Sequence, residues 1–279
     1  MKCFYHSADL DGKCSGALIK LQHPACEMIG INYGYDFPWD TIGPEETVYM
    51  VDFSLQPFSK MERLHSILGP KLVWIDHHKS AIDDLDQSGR FILGIQKVGL
   101  GACALVWEYL NKLAMPDWLM LLARYDVWDH DDPRTLPFQY GMRNRDNGPD
   151  APIWRTLTNT GESLVESIIH EGEVILNWEI RQNKIRAKSL CFETELDGLK
   201  VLAANQGLIN SQLFDSLWDP AKYDAMLTFN WRNGQWTISL YSTKDTIDVG
   251  SIAKCHGGGG HKGAAGFQCR DLPFALPRK

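Results

Sequence analysis

The sequence has no C-x-x-C pair, no surplus of basic residues and no long apolar run, and each absence removes a class of protein. Its seven cysteines (Cys3, Cys14, Cys26, Cys103, Cys191, Cys255, Cys269) are odd in number and widely spaced. Neither a disulfide framework nor a structural zinc knuckle is indicated, and a reducing cytoplasm fits best. The 28 Lys and Arg stand against 35 Asp and Glu, leaving a net charge of −7. That is the wrong sign for gripping long duplex nucleic acid through many phosphates, so any nucleic-acid partner is expected to be short. No stretch approaches the roughly 18 apolar residues of a membrane span. The start, Met1-Lys2-Cys3-Phe4-Tyr5-His6, carries no apolar signal core, so the chain is expected to be neither secreted nor membrane-bound. What remains is an ordinary globular composition, 44% hydrophobic and 23% charged over 279 residues, long enough for two domains or one large α/β unit.

Along the first 130 residues, short β-prone runs alternate with helix-like segments. Lys2–Tyr5, Met28–Asn32, Thr47–Val51 and Lys71–Ile75 read as strands, while Gly16–Gln22, Pro57–Leu68 and Cys103–Leu113 read as helices. This alternation predicts an α/β fold with a parallel sheet and helices on both faces, the unbroken Val73-Trp74-Ile75 marking strands buried on both sides. Asp129–Pro152, rich in Asp, Pro, Asn and Gly, reads as loop. Helical periodicity then predicts a connector over 161–192. Strand patterns return in Leu199–Ala204, Ala225–Trp231 and Trp236–Tyr241, the last two joined through Asn233-Gly234, a hairpin signal. The expected organisation is a first domain over 1–160, the connector over 161–192 and a smaller α/β domain over 193–279.

The acids fall where these strands end. Lys2–Tyr5 runs into His6-Ser7-Ala8-Asp9-Leu10-Asp11, Val48–Val51 into Asp52, and Leu72–Ile75 into Asp76-His77-His78; Asp126 follows the apolar Trp118–Ala123. Ligands of open parallel sheets bind outside the carboxyl ends of the strands, so these groups are expected to converge. Singly, each has an ordinary reading: a capped loop for His6, Asp9 and Asp11, a turn acid for Asp52. Asp76-His77-His78 is costly to bury unless paired or metal-bound, and the conjunction favours one site. Carboxylates and imidazoles without thiolate suit Mn²⁺ or Mg²⁺, and four acids with two histidines suit two ions, the arrangement used for displacement at phosphorus.

These residues, with the C-terminal Gly257-Gly258-Gly259-Gly260-His261-Lys262-Gly263-Ala264-Ala265-Gly266, resemble the DHH/DHHA1 phosphoesterases over nearly the whole chain. The resemblance is nearest to the oligoribonuclease (nanoRNase) and cyclic-nucleotide phosphodiesterase branch. It implies an N-terminal DHH domain and a C-terminal DHHA1 domain that hydrolyse short oligonucleotides or small nucleotide diesters with two divalent ions, Mn²⁺ ahead of Mg²⁺. It implies that His6, Asp9 and Asp52 hold one ion and Asp11, Asp52, His77 and Asp126 the other. His78 would face the phosphate, Asp76 would orient an imidazole, and water activated by the ions would attack. A homodimer is left open. Relatives acting on RNA ends carry an Arg-Ser pair where this chain has Tyr241-Ser242, so Lys244, Arg143 or Arg145 must supply the missing cation or the substrate differs.

Other features are read from the residues alone. Gly257–Gly260 lacks Cβ atoms and favours an anion-binding nest over a linker, with His261 and Lys262 as added donors. No Gly-Lys-Ser/Thr follows, so it is no Walker A loop. Gly99-Leu100-Gly101-Ala102-Cys103-Ala104 imitates a dinucleotide fingerprint but lacks the acid about 20 residues on. Asp129, His130, Asp131 and Asp132 read as a solvated loop, and most of the ten tryptophans as core or rim, with Trp39 and Trp128 near the predicted site loops, where contact with a base is open. Same-chemistry pyrophosphatase or exopolyphosphatase activity, and a non-catalytic nucleotide-binding module, are the competing functions.

Overall fold

The computed structural model describes residues 1–111, 113–160 and 162–277. They divide into two units, Met1–Leu176 and Asn177–Lys279. The first contains β1 (Lys2–His6), α1 (Leu10–Gln22), β2 (Glu27–Ile31), β3 (Val48–Val51), α2 (Ser59–Leu68), β4 (Leu72–Asp76), α3 (Lys79–Ser88), β5 (Leu93–Gln96), α4 (Ala102–Leu110), α5 (Asp117–Asp126), α6 (Thr135–Arg143) and α7 (Pro152–Thr160). Then α8 (Glu162–Leu190) runs across the division into β6 (Cys191–Leu196), β7 (Leu199–Asn205), β8 (Ala225–Arg232), β9 (Gln235–Tyr241), α9 (Val249–Cys255), β10 (Gly259–Gly260) and β11 (Ala264–Cys269). Residue 161, the expected start of the connector, lies outside the described residues.

The first sheet is wholly parallel in the order β2-β1-β3-β4-β5. Successive side chains of a strand face opposite sides, and these strands feed two cores. Cys3, Tyr49, Val51, Val73 and Ile75 pack with α1, α4 and α5 on one face. Phe4, Val48, Met50, Leu72 and Trp74 pack with Met61, Leu64, Ala81 and Leu85 of α2 and α3 on the other. Burial on both faces explains why the sequence shows apolar runs instead of alternation. After β1 the chain adds β2 on one side, then returns past β1 to add β3, so the topology reverses between β1 and β3. A doubly wound sheet opens its ligand crevice at that switch point.

One expectation is corrected. The stretch 129–152, read as loop, contains α6. Its Pro137 sits in the first turn, where an amide hydrogen has no helical acceptor to lose, and Thr135 and Pro137–Met142 are buried, so packing overrides the breakers. Strand β5 went unpredicted because Leu93-Gly94-Ile95-Gln96 is short and carries a glycine.

The second unit holds a mixed sheet, β10-β11-β9-β8-β7-β6, antiparallel except between β7 and β8. The β8–β9 hairpin turns at Asn233 and Gly234, both at positive φ (52° and 82°), as the Asn-Gly signal predicts. Among the described residues, no helix is long and apolar enough to cross a membrane.

Candidate metal centre

Every strand-end acid sits where the backbone hands it to the switch point. His6 closes β1, Asp52 follows β3 and Asp76 closes β4, with His77 next. Asp9 is the N-cap of α1; its side chain accepts from the Gly12 amide at 2.9 Å. Asp11 therefore lies in the first turn of a helix that begins earlier than the sequence suggested.

Two groups result. His6 Nδ1 stands 2.9 Å from Asp9 Oδ2 and 3.5 Å from Asp52 Oδ2. His77 Nε2 stands 3.2 Å from Asp52 Oδ1, 3.1 Å from Asp126 Oδ2 and 3.7 Å from Asp11 Oδ2. In each of the groups His6/Asp9/Asp52 and Asp11/His77/Asp126, one ligand atom per residue lies within 4.8 Å of the others. Asp52 offers one oxygen to each side, and the sequence-predicted ligands His6, Asp9, Asp11, Asp52, His77 and Asp126 are all brought together. Asp52 itself takes φ of 55°, an uncommon backbone for a residue other than glycine.

The electrostatics are those of concentrated negative charge. Burial pulls the His6 imidazole down, but Asp9 and Asp52 beside it push it up to about 11. Burial acts likewise on His77, which Asp126 and Asp52 push up to about 12. Burial raises Asp52, with Asp9 adding repulsion, and raises Asp11 well above the carboxylate range, with Asp52 and Asp126 adding theirs. Against burial, His6 holds Asp9 down to about 2. Asp52 Oδ1 is shielded from solvent, and its 3.2 Å contact with His77 Nε2 lacks hydrogen-bond geometry. A buried carboxylate oxygen left so is costly, and an oxygen-and-imidazole donor set with no thiolate suits hard to borderline divalent cations. The residues fit two such ions.

Around these six residues stand others that hold them in place. Asp76 is fully buried, and its Oδ1 accepts from the His77 amide at 2.8 Å, the His78 amide at 3.2 Å and His78 Nδ1 at 2.7 Å. It thus orients His78 and the turn that carries His77. Asp11 is seated by the N-terminus of α4: the amides of Ala102 and Cys103 donate to its two oxygens at 2.6 and 2.7 Å. Gly101, the N-cap, permits this approach, since a Cβ there would stand 3.1 Å from Asp11 Oδ2 and 2.7 Å from the Ala123 Cα. The Gly99–Ala104 imitation of a dinucleotide fingerprint is thereby explained: its helix end binds the chain's own carboxylate. Asn32 was missed by sequence reasoning. Its Oδ1 lies 3.3 Å from His6 Nε2, which makes Nδ1 the nitrogen facing the acids. Its only sequence signal was a polar residue closing the β2 run.

The remaining candidates are placed differently. In the loop around His130, Arg124 lies near Asp129 (3.6 Å) and Asp132 (3.7 Å) and Arg134 on Asp132 (2.7 Å). Trp39 lies under the Arg63 guanidinium, 4.1 Å from its ring centre. Lys244 is held by Asp224 at 2.8 Å and Arg145 by Glu171 at 2.5 Å, whereas Arg143 donates to Tyr125 Oη at 3.0 Å. In the glycine tract, the Gly257 and Gly258 amides donate to the Lys254 and Ala253 carbonyls and close α9, and Gly259 and Gly260 pair with Gly266 and Ala265 of β11. His261 and Lys262 occupy the turn that follows.

No family model matches the chain. An uncharacterised protein of Acanthamoeba polyphaga mimivirus is 26% identical over 250 residues, covering 83% of this chain and 55% of its own length, so the chain spans about half of that curated relative. Among solved structures, the DHH domain of a member of a family of ribosomal proteins matches with a TM-score of 0.55 and 15% identity, covering 95% of this chain and 81% of that one. The chain has the DHH-domain fold. A pGpG-specific phosphodiesterase from Vibrio cholerae is 12% identical with a TM-score of 0.49, covering 96% and 92% of the two chains.

Proposed function

We propose that this DHH-fold protein is a metal-dependent phosphoesterase that hydrolyses the phosphodiester bonds of short oligonucleotides or small nucleotides, with Mn²⁺ preferred over Mg²⁺. The observation that carries the reading is Asp52, whose two oxygens face two different imidazole–carboxylate groups at once. His6, Asp9 and Asp52 would hold one ion, and Asp11, Asp52, His77 and Asp126 the other. Ions bound there lower the pKa of a water and neutralise charge on phosphoryl oxygens. The chain's own part is to fix that geometry: the α4 amides lock Asp11, Asn32 sets the His6 ring, and Asp76 aims His78, whose Nε2 would donate to a phosphoryl oxygen. In the second unit, the tight hairpin bearing His261 and Lys262, with the glycine tract 257–260 leading into it, is the candidate anion-binding element. The net charge of −7 supports short rather than long nucleic-acid partners, and the free cysteines support a reducing, cytoplasmic setting.

The test is turnover of a diribonucleotide, a longer RNA, cyclic mono- and dinucleotides and pyrophosphate with Mn²⁺ and with Mg²⁺. Metal-dependent cleavage of the short diesters is expected, falling at least about a hundredfold in His77→Ala, the scale of losing one charge-stabilising group. Cleavage of pyrophosphate alone overturns the diester reading; turnover unchanged in His77→Ala overturns the metal centre.

A further inference from the structure

Resting on the phosphodiesterase reading, we propose that Trp128 is a stacking wall for a nucleobase, so that the substrate class is a diester carrying a base beside the scissile phosphate. Asp126 is the last residue of α5, with its carboxylate 3.1 Å from His77 Nε2, and Trp128 follows two residues later. The helix ends in a Schellman pattern: the Trp128 amide donates to the Tyr125 carbonyl at 3.1 Å and the Asp129 amide to the Arg124 carbonyl at 2.9 Å. The residue after the C-cap takes the left-handed conformation, and glycine is usual there. Here it is tryptophan, at φ of 63°. A bulky side chain in that region is a genuine outlier, and such strain clusters at ligand sites.

The indole is also supported as a platform. Its ring lies 4.8 Å from the His130 ring, which stacks on Tyr125 at 5.7 Å and 25°. The Arg143 guanidinium lies 5.2 Å over the same Tyr125 ring. Nε2 of His130 is shielded from solvent without a hydrogen-bond partner, a second local cost in the same loop. Trp128 nevertheless remains 46% exposed. Two other exposed tryptophans, Trp178 and Trp231, lie on the regular backbone of α8 and β8 and need no such explanation. A half-exposed indole held at a strained position beside a proposed ligand has no use for a bare phosphate, whereas every base offers a π-face to it.

The decisive variant is Trp128→Gly, which places the favoured residue at the strained position and so preserves the fold; Trp128→Phe keeps an aromatic face. With the diribonucleotide ApA and Mn²⁺, the glycine variant is expected to raise KM by about five- to a hundredfold, the range of one base stack, with kcat changed less than about twofold. The phenylalanine variant restores most of the loss, and a bis-ribosyl phosphodiester without bases is unaffected. An unchanged KM for ApA, or an equal loss on the base-free diester, overturns the proposal. Calorimetric binding of ApA separates it from the hydrolase reading. Trp128-dependent binding without turnover of any phosphodiester defeats the enzyme assignment and leaves the wall standing, while no binding of ApA to the unaltered protein defeats the wall.

Discussion

Helices α5 and α9 end in the same hydrogen-bond pattern and solve it with opposite residues. At α9 the Gly257 amide donates to Lys254 and the Gly258 amide to Ala253, with Gly257 at φ of 80°; at α5 the equivalent position is Trp128. The starts of the two helices differ in the same sense. The side chain of Asp248 caps α9 by accepting from the Ser251 amide at 3.0 Å, whereas Pro116 precedes α5 with no side-chain cap. Burial accounts for the contrast. Seven-residue α9 buries only Val249 and Ala253, so its ends must be locally favourable. The ten residues of α5 bury Trp118, Leu119, Leu121, Leu122, Ala123 and Tyr125, and that core contact tolerates an unfavourable end. Local rules are kept where packing is thin and broken where packing is deep and chemistry stands nearby.

Asp52 makes the sharpest break with those rules, because it combines positive φ, near-complete burial and repulsion from neighbouring acids. Asp52→Gly is therefore expected to leave the unfolding midpoint of the metal-free protein no lower, since His77 keeps Asp126 and His6 keeps Asp9. The added stability that Mn²⁺ confers, about 2.7 kcal/mol at a hundred times Kd for a protein that binds it, is expected to vanish. Thermal melts with and without Mn²⁺ measure both. A lower metal-free midpoint with Mn²⁺ stabilisation retained would show that Asp52 is a structural acid and erase the contrast.

Gly257 offers the reverse change. A Cβ there meets nothing within 4 Å, so Gly257→Ala isolates the backbone cost of the left-handed conformation, about 1–2 kcal/mol. The midpoint of the second unit is expected to fall accordingly. No loss of stability in Gly257→Ala would mean that this end tolerates side chains as α5 does, and that Trp128 needs no functional explanation.

The same contrast governs what could be read from the sequence. Strands β1 to β4 and the β8–β9 hairpin were legible because buried parallel strands are continuous apolar runs and Asn-Gly prescribes its turn. The gathering of His6, Asp9, Asp11, Asp52, His77 and Asp126 was legible because acids and histidines stood at the ends of apolar runs. What was hidden depended on contacts distant in sequence. The α4 amides that seat Asp11 lie about ninety residues from it, and Asn32 meets His6 only because β1 and β2 pair. Helix α6 was hidden because its proline and glycine are neutralised by a first-turn position and by burial. The glycine tract reads from sequence as an anion-binding nest; the closing of α9 by two of its amides, and the pairing of the other two glycines with β11, were not legible.

At the start of α9, Asp248 gives the smallest effect and one with a definite pH sign. Burial raises its carboxyl, but the bonds from the Ser251 amide and hydroxyl and from the Gly250 amide together outweigh it, so its folded pKa lies below the ordinary value. A depressed carboxyl contributes stability that is present above the unfolded pKa of about 3.9 and is lost as pH falls through the folded value. Asp248→Ala is expected to cost about 1 kcal/mol at neutral pH, the usual value of an N-cap. Asp248→Asn keeps an acceptor for the Ser251 amide and is expected to retain most of that stability while flattening its acid dependence. Urea unfolding of the three proteins at pH 7 and near pH 3 separates the terms. If Asp248→Ala matches the unaltered chain at pH 7, the cap contributes nothing and α9 is held by its two buried residues alone, which would place it with α5 and not against it.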